Sequence, residues 1–353
     1  QEYDPVRKEM TGPVREIYAA DTIFLEGPHI YKIDGKYLLL MAEGGSSYHH
    51  AITAHHSKSL WGPYVAAKVN PVLTHRHLGS KCPLQALGHA DLVQTQKGEW
   101  YSVFLGKRML NEYNPLARET FMCKVEFEDS TPIFNPGMGM ILPKQERPDL
   151  PWTPIKAKPV RDNFDSPTLG SEWYFVRIPQ KAFHNLANGQ LALTLQPEIV
   201  DSLVNSAMVI QKTRHHQFKA TALLNFQTKK DNEQAGLILY RTANGYYSLL
   251  KDKSGIALIK KHLEKKETIE HIPYNKQKVF LSVAVNGTEI QFSFGETQEH
   301  MINIGGIQNV APLSDNKFNK FNGTGVGVYA TSNGKQSRNK ALYDWFEYIS
   351  DKN

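Results

Sequence analysis

Residues 97–105 read Lys-Gly-Glu-Trp-Tyr-Ser-Val-Phe-Leu. Lys97-Gly98 supplies turn chemistry, and the aromatic and β-branched run after it is long enough for one strand and too short for a helix. The same unit recurs outward along the chain. Runs at 37–42, 50–55 and 119–127 have the same character, and Asp34-Gly35 and Trp61-Gly62-Pro63 punctuate them. Few segments carry a helical 3.6-residue period. Strands of about 5 to 8 residues suit a sandwich, barrel or propeller, so the predicted fold class is all-β.

Between 134 and 158 the composition changes. Pro136, Pro143, Pro148, Pro151, Pro154 and Pro159 stand there with Gly137 and Gly139, a set that neither a helix nor a central strand accepts. The expectation is an inter-domain linker over 136–160, dividing a first domain at 1–135 from a second at 161–353. Beyond the linker, strand-like runs come at 190–195, 206–212, 218–226, 234–241, 246–251, 256–261, 279–285, 289–294, 325–331 and 342–349. Asn-Gly pairs at Asn188, Asn244 and Asn286 lie among them, the strongest short hairpin signal. The second half is predicted to be a β-sandwich.

Composition narrows the function classes. At 353 residues the chain exceeds one ordinary domain, and 41% hydrophobic with 22% charged residues is globular. No apolar stretch approaches the ~18 residues that a membrane span needs, so no membrane partner is expected. The net charge of +6 raises the question of nucleic acid. Phosphate binding needs clustered cations, and the densest run, from Lys251 to Lys266, is interleaved with Asp252, Glu264, Ile256, Leu258 and Ile259. That pattern describes solvent faces of neighbouring strands, and no nucleic-acid partner is expected. Cys82 and Cys123 show no metal-binding spacing and read as free thiols. Gln1 to Glu9 has neither the basic nor the apolar region of a signal peptide, and the sequence assigns no compartment.

The stretch 24–31, Phe-Leu-Glu-Gly-Pro-His-Ile-Tyr, sets a carboxylate directly before Gly-Pro, where the backbone must leave regular pairing. Glu26 is thereby pinned at a strand end, the rigid hold a general acid needs, although a lone glutamate beside a turn reads equally as a surface residue. This stretch, followed by Ala42-Glu43-Gly44-Gly45, resembles the general-acid segment of family 43 glycoside hydrolases of the β-xylosidase and α-L-arabinofuranosidase type. Further segments match in order: Ser57-Lys58-Ser59 with Gly62-Pro63-Tyr64, then Asn70-Pro71-Val72-Leu73-Thr74. Gly88-His89-Ala90-Asp91-Leu92-Val93, Gly98-Glu99-Trp100-Tyr101 and Arg118-Glu119-Thr120-Phe121 follow. Asn163-Phe164-Asp165 and the closing 343–348 segment, Tyr-Asp-Trp-Phe-Glu-Tyr, resemble the concanavalin-like sandwich of the same family.

The resemblance implies part of a five-bladed β-propeller followed by a concanavalin-like β-sandwich. It implies inverting hydrolysis of terminal xylose from xylo-oligosaccharides, as in xylan degradation. The alternatives are an α-L-arabinofuranosidase and a non-catalytic carbohydrate-binding fragment. Glu26 matches the catalytic acid. The family's base and pKa-modulating aspartates have no counterpart: Asp4, Asp21, Asp34 and Asp91 are the aspartates before residue 129, and none stands in either motif. The resemblance places both upstream of Gln1, so the missing N-terminal propeller half, or self-association, is expected to complete the fold, and the chain alone to be weakly active or inactive.

For substrate binding the resemblance points to His89 near the propeller axis, to Arg108, whose planar fork suits vicinal hydroxyls, and to Ser46 and His49. Phe318 and Phe321 lie in a segment resembling the loop that reaches over the sugar pocket. No cofactor is required on this reading. Calcium is compatible with it, with no firm metal ligand beyond His89 acting through water.

Overall fold

In this computed structural model, residues 1–21, 24–314 and 321–350 are described. They form strands and two short 3-10 turns, with no α-helix among them. The chain divides into two units, one of residues 1–111 and 118–154, the other of 112–117 and 155–353.

The first unit begins with the hairpin β1 (Glu2–Asp4) and β2 (Glu9–Thr11). Two four-stranded antiparallel meanders follow. The first is β3 (Glu26–Ile33), β4 (Lys36–Glu43), β5 (Ala51–Ser57) and β6 (Val65–Ala66); the second is β7 (Leu84–Gln94), β8 (Trp100–Arg108), β9 (Glu119–Glu128) and β10 (Thr131–Phe134). In each, neighbours in sequence are neighbours in the sheet, which is the form of a propeller blade. Leu38, Leu40 and Ile52 of the first blade and Leu87, Phe104 and Val125 of the second share one apolar core.

The proline-rich stretch behaves differently from the linker expected over 136–160. Ile141 is buried in the blade core, and its amide donates to His75 Nε2 at 2.9 Å. Further on, the Asp149 amide donates to Glu99 at 3.1 Å. Prolines bar this segment from sheet pairing without barring single side chains from the core. The continuously exposed part is 151–160, and the units divide within it, after Pro154.

The second unit contains β11 (Arg161–Asp162), β12 (Trp173–Phe175), β13 (His184–Ala187), β14 (Gln190–Thr194), β15 (Ala207–Lys212), β16 (Gln217–Asn225), β17 (Gln234–Thr242) and β18 (Gly245–Lys251). It continues with β19 (Gly255–His262), β20 (Lys265–Pro273), β21 (Lys278–Asn286), β22 (Glu289–Gly295), β23 (Met301–Asn309), β24 (Gly325–Thr331) and β25 (Lys340–Ile349). One sheet runs β12-β15-β24-β17-β18-β19-β20. The other runs β13-β14-β25-β16-β21-β22-β23, with β11 paired to β25. Each of the three Asn-Gly pairs closes a hairpin: β13–β14, β17–β18 and β21–β22.

The two sheets enclose a core in which Leu237, Leu249 and Val328 of one face Leu281, Phe292 and Phe346 of the other. The first sheet is also buried behind. Ile238, Tyr240, Tyr246 and Tyr329 form a second cluster with Val200, so β17, β18 and β24 lose the in–out alternation of a half-exposed strand. The basic run folds into the β19–β20 hairpin at the sheet edge. Its cations pair locally: Lys265 with Glu267 at 2.5 Å, and Lys266 with Asp201 at 3.2 Å. Among the described residues no helix is long and apolar enough to cross a membrane.

Candidate active site

Glu26 opens β3 and pairs with Ala42 on β4; the next pair is His29 with Leu40. Three residues of β3 thus match two of β4, a bulge at Gly27-Pro28. Gly27 takes φ +59° and Pro28 has no amide hydrogen to give the ladder, so sequence and geometry agree on where pairing breaks. The bulge leaves Glu26 exposed.

The glycine also makes room. A Cβ on Gly27 would stand 2.5 Å from His89 Nε2, so the His89 imidazole rests against the bulge next to Glu26. His89 itself comes from a distorted stretch of β7. The register with β8 slips between Gln85 and Gly88 and again between Gly88 and Asp91. Ala86 and His89 both have φ +56°, backbone that non-glycine residues adopt only when their surroundings hold them there.

His50 fills the space over Gly88, where a Cβ would come within 2.3 Å of its Cε1. It is 1% exposed, with Nδ1 2.9 Å from the Ala86 carbonyl. Burial holds its pKa below the usual histidine value, with His89 and Lys107 pushing the same way and the Ala86 carbonyl and the Glu26 charge opposing. Glu26, His89 and Lys107 are therefore the electrostatic neighbours of a buried, neutral imidazole. Lys107 is itself buried, and its Nζ donates to the Ser46 carbonyl at 2.6 Å.

Ser46 and His49 sit on the 44–50 loop, which doubles back because Gly44, at φ +79°, lets the His49 carbonyl approach to 2.3 Å from where a Cβ would be. Tyr48 pins the loop by donating to the Arg76 carbonyl at 2.6 Å, and Arg76 pairs with Glu43 at 3.4 Å. Among the described residues Ser46 Oγ is buried with no hydrogen-bond partner. His49 is exposed. Phe24, 70% exposed, lies with its ring against Gly45.

Arg108 is oriented by its own chain. Nε donates to Glu119 at 2.9 Å and Nη2 at 2.6 Å, a two-point ion pair across β8 and β9 that raises the arginine pKa further. Asp91 pairs with His29 at 3.1 Å, and Asp4 with Arg7 in the β1–β2 hairpin at 2.7 Å. Phe321 belongs to the second unit and is 56% exposed; Phe318 lies outside the described residues. Among the described residues no group of three or more His, Cys, Asp or Glu is placed to hold a metal ion.

Glu26, Ser46, His49 and His89 thus fall on β3, β7 and the β4–β5 loop of the first unit. His50, Lys107 and Phe24 escaped the sequence reading. A buried lysine has no signature in a string of residues, and His50 is adjacent to the selected His49 but differs from it only in which way it points.

Comparison with known proteins gives two family matches. The model for glycosyl hydrolases family 43 matches residues 1–132, and that for the beta xylosidase C-terminal concanavalin A-like domain matches residues 161–349. The non-reducing end alpha-L-arabinofuranosidase of Bacteroides ovatus is 35% identical over 333 residues, 92% of this chain and 62% of that protein. A xylosidase/arabinosidase of Butyrivibrio fibrisolvens is 32% identical over 98% of this chain and 69% of its own length. The solved xylan beta-1,4-xylosidase of Bacillus halodurans superposes with a TM-score of 0.92 at 29% identity, covering 99% of this chain and 69% of that one. The chain therefore spans 62% to 69% of the length of these relatives. Its fold is part of a five-bladed propeller followed by a concanavalin-like sandwich.

Proposed function

The chain belongs to glycosyl hydrolase family 43, and we propose that it is the C-terminal part of a β-xylosidase-type enzyme that removes terminal xylose from xylo-oligosaccharides with inversion, Glu26 being the general acid. The observation that carries this reading is the bulge at Gly27-Pro28, which presents the Glu26 carboxyl at a strand end and packs His89 against it. An inverting glycosidase needs one carboxylic acid to protonate the leaving oxygen and one carboxylate to activate water from the opposite face, about 6.5–9.5 Å away.

Asp91, which follows His89 and is the nearest candidate for recruitment as base, is paired with His29 at 3.1 Å. We assign the base and the modulating carboxylate to polypeptide outside these 353 residues. Ser46 Oγ, buried with no partner among the described residues, is suited to receive a sugar hydroxyl. His49 and His89, on the same unit, would serve as further sugar-binding residues. Arg108, its plane fixed by Glu119, would hydrogen-bond sugar hydroxyls.

Proton transfer alone supplies about 10²- to 10⁴-fold, so these residues by themselves should turn over substrate slowly or not at all. An α-L-arabinofuranosidase is the second reading, favoured by the name of the Bacteroides ovatus relative. The test is hydrolysis of an aryl β-xyloside and an aryl α-L-arabinofuranoside, by this chain alone and by the chain joined to a relative's upstream blades, each with and without Glu26→Gln. The expected result is turnover in the joined protein, greater on the xyloside, that Glu26→Gln reduces at least a hundredfold for substrates with poor leaving groups. Equal turnover with and without Glu26→Gln would remove the acid assignment. An inactive joined protein that still binds xylo-oligosaccharide would make the chain a binding module.

A further inference from the structure

The second unit contains a cavity of about 610 Å³ that no step of the hydrolysis above uses. Its size falls in the ~300–1,000 Å³ range of small-ligand sites. It opens on the face of the β12–β20 sheet turned away from the central core, where Tyr174, Ile210 and Tyr240 line it. Two tyrosine rings and a branched aliphatic chain offer the C–H face of a sugar an apolar wall.

Among the described lining residues, cations outnumber carboxylates. Arg177 and Lys212 line it along with the buried Arg241. Among the described residues Arg177 donates to neutral partners, the carbonyls of Ser202 at 3.3 Å and Val204 at 3.4 Å. Lys212 places its ammonium 5.5 Å from the centre of the Tyr174 ring. The acidic lining residue, Asp201, has one oxygen bound by the Tyr246 hydroxyl and the other by Lys266 at 3.2 Å. Among the described residues, therefore, neither Arg177 nor Lys212 has a carboxylate partner. Burial and the nearby Arg241 charge push the Lys212 pKa down, a cost that an anion in the cavity would relieve. The Asn244 side-chain amide, which also lines the cavity, offers a donor and an acceptor to ring hydroxyls.

We propose that this cavity binds a carboxylate-bearing sugar, a hexuronate, its ring against Tyr240 and Ile210 and its carboxylate met by Arg177 and Lys212. A small inorganic anion would leave the apolar wall uncovered, and a neutral sugar would leave both cations uncompensated. The site lies on the second unit alone and does not rest on the glycosidase reading.

Calorimetric titration of the full chain with sodium glucuronate at low salt tests it, with glucose and sodium acetate as controls. The expected result is saturable one-to-one binding of glucuronate, at least tenfold tighter than either control. Lys212→Gln and Arg177→Gln should each weaken it at least tenfold, whereas Lys181→Gln, an exposed lysine outside the cavity, should leave it unchanged. Both tested residues are solvent-accessible, Lys212 being only partly desolvated against the cavity wall, and unchanged melting temperatures would show the variants folded. The proposal is overturned if glucuronate does not bind, if glucose or acetate binds as well, or if binding survives both cavity substitutions.

Discussion

The His89 imidazole occupies the volume that a β-carbon on Gly27 would need, its Nε2 2.5 Å from that point. Position 27 is therefore doubly constrained, by this contact and by φ +59°. The left-handed conformation alone costs a non-glycine residue roughly 1–2 kcal/mol, and the clash adds to it. Gly27→Ala should lower the unfolding free energy of the first unit by at least that amount, read from denaturant melts as the shift in midpoint multiplied by the m-value. In the catalytically complete protein it should also cut turnover at least tenfold, since relief comes from moving His89 or the strand that carries Glu26. Wild-type stability and turnover in Gly27→Ala would disprove the contact.

Three buried histidines make the first unit sensitive to mild acid. His50, His55 and His75 are 1%, 3% and 2% exposed, and burial, the leading cause in each, holds their pKa values below 6.5. The unfolded chain takes up protons at each of these sites near pH 6.5 while the folded chain refuses them. Stability therefore falls as pH drops below about 6.5, by up to about 1.4 kcal/mol per pH unit for each histidine. Hydrogen exchange followed by mass spectrometry at pH 7.5 and 5.5, corrected for intrinsic rates, should show β4, β5 and β7 peptides losing protection relative to β17 and β21. Equal protection at both pH values would contradict the burial of these rings.

Legibility of fold and site differed for physical reasons. The hairpins at Asn188, Asn244 and Asn286 could be read because Asn-Gly suits a two-residue turn whatever lies beyond it. β23 could not, because Gly305 and Gly306 interrupt it at positive φ and its register slips opposite Gln291 and Phe292. β20, an edge strand rich in Lys and Glu, lacked the apolar half of the strand pattern. At the candidate site Glu26 was legible because Gly-Pro fixes a break in pairing locally. The neighbourhood of His50, Lys107 and Ser46 was not, since it joins three strands through two bulges in β7 that no residue type announces. Arg108 shows the converse: its chemistry was legible, but its partner Glu119 lies across the next strand.

Among the described residues, Glu233 is a buried carboxylate held without a cation. It is 1% exposed and accepts from the Lys229 amide at 2.7 Å, the Lys230 amide at 3.3 Å, Ser337 Oγ at 2.7 Å and Asn339 Nδ2 at 2.7 Å. Burial pushes its pKa up, and the four donors more than offset this, holding it below 4.5. Its contribution is complete above about pH 4.5 and is lost as pH falls toward the depressed value. Glu233→Gln should cost about 1–3 kcal/mol at pH 7, because the amide cannot accept from all four donors. The gap between variant and wild type should narrow below pH 4.5. A gap that stays constant down to pH 3 would show that the charge contributes nothing.

The two thiols should separate cleanly. Cys82 is partly exposed, with Sγ 3.2 Å from the Leu84 carbonyl, whereas Cys123 is 0% exposed in the blade core. Burial pushes the Cys123 thiol up to about 12, so at pH 8 the reactive thiolate is roughly one part in 10⁴ before access is considered. Ellman's reagent at pH 8 should therefore titrate one thiol per folded chain within minutes and the second only after denaturation. Cys82→Ser should abolish the fast phase and leave the slow one. Prompt reaction of both thiols in the folded chain would mean that the β8–β9 region of the blade opens in solution, and the packing of Phe104 and Val125 around Cys123 would have to be abandoned.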